Sequence, residues 1–69
     1  MKFNRLTDWH EMSEDRAYTV ACVRVDGRFR FEAWNVTRRP AVSLGVFDTA
    51  QEARGCCERQ CEHVSHAHK

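Results

Sequence analysis

The stretch YTVACVRVDGRFRFEAWNV, Tyr18–Val36, decides the fold class. Its apolar residues recur at every second position, the period of a half-buried strand, and Asp26-Gly27 divides it into two runs. Asp-Gly between alternating runs is a strong hairpin signal, because the central positions of the tightest turns need positive φ. In the second run Phe29, Phe31 and Ala33 share a face opposite Arg28, Arg30, Glu32 and Trp34, and the first set is read as core. The first run fits two registers. A two-residue loop places Val20 and Cys22 with the phenylalanines and leaves Val23 and Val25 outside, beside Arg28 and Arg30. A three-residue loop with Gly27 as a bulge places Ala21 and Val23 inside instead. Arg24, Arg28 and Arg30 then cluster outside with Tyr18, Val20 and Trp34. Either register leaves an outer face that mixes apolar side chains with arginines.

Downstream, Arg38-Arg39-Pro40 stops the second strand, since proline has no ladder N–H and biases the residue before it to extended geometry. A third strand is expected at Val42–Phe47, with Gly45 allowing a close backbone approach. Thr49-Ala-Gln-Glu52 is a capping box that opens a helix from about Ala50 to about His63. The inward stripe of that helix is Ala50, Ala53, Cys57, Cys61 and Val64, small enough to lie close on a sheet. Gly55 costs the helix roughly 1 kcal/mol relative to alanine and is read as a close-contact position. Upstream, Phe3, Leu6, Trp9 and Met12 recur every third position. That spacing suggests one helical turn near Thr7–Glu11 capped by Thr7, or an irregular strap. Trp9 either anchors this arm onto the domain or faces a partner.

The expected architecture is α+β: a three-stranded antiparallel β-meander with one C-terminal helix packed on one face and a short N-terminal arm. At 69 residues and 8.1 kDa there is room for one domain, divided as arm 1–16, meander 17–47, helix 49–64 and tail 65–69. The sheet face away from the helix has no cover, so it is expected to meet a second copy or another partner. No apolar run approaches the roughly 20 residues of a membrane span, and no secretory leader opens the chain, so a cytoplasmic setting without membrane partners is expected.

Charge and cysteine usage exclude several functions. The net charge of +1 fits neither a polyacidic DNA mimic nor a strongly basic nucleic-acid clamp. It is unevenly spread, because residues 16–39 carry six arginines against Asp26 and Glu32 alone. Cys56 and Cys57 point apart on one helix, and Cys57 and Cys61 lie about 5–6 Å apart at Cβ, too far for a disulfide. There is no CxxC pair and the only distant cysteine is Cys22, so a zinc site is not expected, nor any cofactor. The histidine-rich end could take up metal adventitiously. No serine sits on a strand-to-helix elbow, and Gly27, Gly45 and Gly55 stand isolated rather than forming a phosphate cradle, so no enzymatic activity is expected.

The segment Tyr18–His63, about two-thirds of the chain, resembles small accessory proteins encoded by phages and prophages of GC-rich hosts. The shared pattern is a Tyr-led strand (Tyr18–Val25), an Asp-Gly hairpin (Asp26-Gly27), an aromatic strand ending Ala-Trp (Phe29–Trp34) and LGVFDTAQEA (Leu44–Ala53). Nine arginines against two lysines fit such a genome. The motif carries no catalytic residue. The resemblance implies a stoichiometric inhibitor of a host bacterial complex, with anti-CRISPR proteins as the nearest functional group and a CRISPR–Cas effector as one such target. The residues expected to bind the partner are Arg24, Arg28, Arg30, Trp34 and Arg38 on the open sheet face, with Trp9 as a second anchor. The rival class is a small nucleic-acid-binding regulator that uses the same basic face with Tyr18 and Trp34 as stacking rings.

Overall fold

Asp26 (φ 52°) and Gly27 (φ 77°) both have the positive φ of a type I′ turn, so the hairpin closes with a two-residue loop. The computed structural model describes residues 1–67, with side chains through Gln60. The turn joins Tyr18–Val25 to Arg28–Asn35 in a register pairing Val20 with Ala33 and Cys22 with Phe31. The first of the two sequence registers is therefore the one adopted. In chain order the elements are β1 (Phe3–Thr7), β2 (His10–Ser13), β3 (Tyr18–Val25), β4 (Arg28–Asn35), β5 (Val42–Phe47) and α1 (Ala50–Ala67). The strands form one antiparallel sheet in the order β1-β2-β3-β4-β5.

The α+β class and the C-terminal helix stand, but the sheet has five strands rather than three. What was expected to be an arm is a hairpin that extends the meander. The every-third spacing of Phe3, Leu6, Trp9 and Met12 has no helical origin. Register shifts between Arg5 and Thr7, so Leu6 sits at an irregularity and lies exposed, while Phe3 packs against the core. Trp9 occupies the loop between β1 and β2, and Met12 pairs with Thr19 on the opposite sheet face. Thr7 does accept a backbone N–H, from Trp9 at 3.1 Å, but as the closure of a turn instead of a helix cap.

The β2–β3 connection is held by one small network. Ser13 Oγ donates to Asp15 Oδ1 at 2.6 Å and accepts the Tyr18 N–H at 3.1 Å, while Asp15 Oδ1 also accepts the Ala17 N–H at 3.0 Å. Ser13 is buried, so this satisfies a hydroxyl that would otherwise be costly to bury. Arg16, at φ 61°, completes the turn by donating its N–H to the Ser13 carbonyl.

The core is small: Tyr18, Val20, Ala33, Ala53 and Cys57, with Phe3, Ala17, Phe31, Leu44 and Phe47 packed around it. The capping box forms as expected. Thr49 Oγ1 accepts the Glu52 N–H and donates to Glu52 Oε1, both at 3.1 Å. Ala53 and Cys57 from the expected stripe are fully buried, whereas Cys61 and Val64 lie outside the described side chains. The helix runs on to Ala67, past the expected boundary at 64.

Two glycines behave differently from each other. Gly45 has φ 136°, and a Cβ there would stand 3.2 Å from the Phe47 ring, so glycine is required where β5 shifts register against β4. At Gly55 a Cβ would meet only the Arg59 guanidinium at 3.4 Å, so the expected close contact is absent. Gly45→Ala should therefore cost about 1–3 kcal/mol, whereas Gly55→Ala should add up to about 1 kcal/mol; urea unfolding of both variants checks the opposite signs. The Ser13 hydroxyl, then the Ala17 N–H, hold the Asp15 carboxyl below its usual 3.8. Because the folded chain takes up that proton less readily, the stabilisation is present above pH about 4 and is lost as pH falls through the lowered value. Asp15→Asn should unfold more easily than the parent at neutral pH, and the gap should close on acidification.

Candidate binding surface

The two-residue loop sorts every side chain of β3 and β4 between two faces. Val20, Cys22 and Arg24 lie on the helix side with Phe29, Phe31 and Ala33, while Ala21, Val23, Val25, Arg28, Arg30, Glu32 and Trp34 lie on the open side. The six residues expected to bind a partner are thereby dispersed. Arg28, Arg30 and Trp34 are on the open face. Arg38 is exposed in the connection after β4, at the opposite end of that strand from Arg28. Arg24 is on the helix face, and Trp9, in the β1–β2 loop, stacks on Phe29 there.

The open face is partly self-satisfied. Arg30 Nε lies 3.3 Å from Asp48 Oδ1, an ion pair without hydrogen-bond alignment. Glu32 Oε2 accepts the Ser43 hydroxyl at 2.6 Å. At its centre Thr19 is only 4% exposed, in the row Met12–Thr19–Trp34, whose two large side chains are half-buried. Of the large apolar residues more than one-third exposed, only Val25 belongs to this face of the central hairpin.

The exposed aromatic surface lies instead at the far end of the helix face. The helix packs on β3, β4 and β5, and because β5 ends opposite Phe31 the helix begins there, short of the β3–β4 turn. Phe29, expected in the core, is consequently 60% exposed, and Trp9 is 59% exposed. Their ring centroids are 5.7 Å apart with planes inclined by 27°, and the Arg24 guanidinium stands 5.9 Å from the Phe29 centroid. Such a stack contributes roughly 0.5–1.5 kcal/mol to keeping the two loops together, and the cation about 0.5–1 kcal/mol at an exposed site. Sequence reading missed Phe29 because alternation assigns a face but not how far along a strand the helix reaches.

A hollow of about 350 Å³ runs from Trp9 along the side of the helix, floored by Val20, Cys22 and Phe31 and walled by Arg5 and Arg54. Across it, Arg54 Nη1 donates to both carboxylate oxygens of Glu11, at 2.8 and 3.0 Å, tying the helix to β2. The pair is partly exposed, which limits its contribution to about 1 kcal/mol.

Cysteine chemistry points to packing. Burial, reinforced by the neighbouring Cys56, pushes the Cys57 thiol up to about 11, so it stays protonated at neutral pH. Cys56 is also buried, with its thiol 3.9 Å from the Leu44 carbonyl. Among the described residues no three His, Cys, Asp or Glu side chains are grouped to hold a metal ion, and no helix is long and apolar enough to cross a membrane. The histidine-rich end, His63 to Lys69, lies beyond the described side chains. Comparison with protein-family models, curated proteins and solved structures finds no match to this chain.

Iodoacetamide at pH 8 should alkylate Cys57 far more slowly than half-buried Cys22 in the folded protein, and the difference should vanish in denaturant. Mass spectrometry of the peptides reads both rates.

Proposed function

We propose that this protein works by binding another protein through the Trp9–Phe29–Arg24 end of its helix face, without catalysis. The observation that carries this reading is the stacked, majority-exposed pair Trp9 and Phe29 beside an arginine. Tryptophan and arginine dominate the energetics of protein interfaces, where a few central side chains supply most of the affinity. An aromatic pair already stacked in the free protein also loses little side-chain freedom on binding.

In its specific form the proposal is a phage or mobile-element accessory protein that inhibits a host bacterial complex stoichiometrically, a CRISPR–Cas effector being one such target inside the host cytoplasm. That form rests on the resemblance of the Tyr18–Val25, Phe29–Trp34 and Leu44–Ala53 segments. Relative to the sequence expectation, the contact surface keeps Trp9 and Arg24 and gains Phe29. Arg28, Arg30 and Trp34 lie on the separate open face, which is left as a site for homodimer contact, and Arg38 lies apart from them in the connection after β4.

A nucleic-acid reading has one specific observation in its favour: two exposed rings and a cation are also the elements of a single-strand stacking platform. Salt dependence separates the two, since phosphate contacts lose affinity steeply with salt.

Tagged protein should retrieve a partner from bacterial lysate, and Trp9→Ser with Phe29→Ser should lose it while still unfolding cooperatively, at a melting temperature lowered by roughly 4–20 °C through loss of the stack and the cation contact. Undiminished retrieval by the double variant overturns the assignment. Retrieval that instead depends on Trp34 returns the contact surface to the open face.

A further inference from the structure

We infer that the β1 rim of the trough between α1 and the β1–β2 hairpin receives an acidic, extended peptide segment of the partner protein, added along the edge of β1 and held by Arg5 and Lys2. This rests on the binding role proposed above and names the chemistry that adjoins Trp9.

The trough is made of two adjoining hollows, of about 350 and 430 Å³, that meet at Arg5 and the Glu11–Arg54 pair. Arg54 and Glu11 neutralise each other across it, and the Met1 ammonium lies 3.7 Å from Glu58. Among the described residues Lys2 and Arg5 are left with no ion pair, and Asp8 is the one other acid on the lining. The local balance therefore favours carboxylates, placed where the two cations stand.

The geometry favours an extended chain. β1 is an edge strand, so one side of its backbone has no neighbouring strand to satisfy it. A segment added there would set every second side chain on the helix-side face next to Phe3 and Arg5, at the rim of the hollow that those residues line with Met1 and Lys2. A second copy of this chain fits poorly. Antiparallel self-pairing about the middle of β1 would set Arg5 directly opposite its own copy, a destabilising like-charge pair. A nucleic-acid strand fits poorly as well, because the free N–H and C=O groups of the β1 edge pair with a peptide backbone, which a sugar–phosphate chain lacks.

The test is an NMR titration of the full-length ¹⁵N-labelled protein with two short synthetic peptides, one alternating glutamate and valine, the other lysine and valine. The glutamate peptide should shift the Arg5 amide and Trp9 indole saturably, more weakly as salt rises, and the lysine peptide should not. Arg5→Glu should weaken the glutamate peptide by about tenfold or more while leaving the remaining spectrum folded. Equal response to both peptides, response to neither, or indifference to Arg5→Glu overturns the inference. So does tighter binding of oligothymidylate to the same residues, or shifts at β1 on dilution without peptide, which would assign the trough to nucleic acid or to a second copy. Loss of partner capture on changing Trp9 and Phe29, with no glutamate-peptide binding, would sink this inference and leave the binding role standing.

Discussion

The two positive-φ residues at the tip of the central hairpin set the terms for everything else in this structure. With a loop of two residues, Val20 and Ala33 meet beneath the helix and Thr19 and Trp34 meet on the other side. One extra loop residue would exchange the faces of β3, taking Val20 out of the core and turning Arg24 over. Glycine at the second position adopts φ 77° at no steric cost, and aspartate tolerates the first at φ 52° better than most residues. A local backbone preference thus fixes which side chains are core and which are surface.

The second constraint is one of area. A single helix crosses β3, β4 and β5 closely because Ala53 and Cys57 are small, and it cannot also span β1 and β2. The β1–β2 hairpin is secured by other means: its pairing with β3, the Ser13–Asp15 network and the Glu11–Arg54 bridge. The incomplete roof leaves the trough and the exposed aromatic end as by-products of the same packing. A core of this size belongs to a chain near the lower limit for independent folding, where each such tie matters.

The candidate surface was legible only in part. Trp9 and Arg24 stand out in the sequence as residue types suited to interfaces, but their company does not. Arg24 joins Arg28 and Arg30 only in the three-residue register, which the turn does not adopt, and Trp9 is separated from Phe29 by 20 positions along the chain. Phe29 alternates with Phe31 and Ala33 as a core residue should, yet it lies beyond the reach of the helix and stacks with Trp9 instead.

By itself the sequence determined the elements whose causes are local: the Asp-Gly hairpin, the β5 strand and the Thr49 capping box. In each, the hydrogen bonds and φ values needed are supplied within a few residues, so neighbours in the chain suffice to specify them. Tertiary structure decided the rest. Residues 3–13 became strands, despite a spacing of three, because an existing β3 edge offered backbone partners that no isolated hairpin of that length could replace. Which aromatics remained exposed was likewise settled by where the helix begins relative to the β3–β4 turn, a distance in space on which alternation along one strand carries no information.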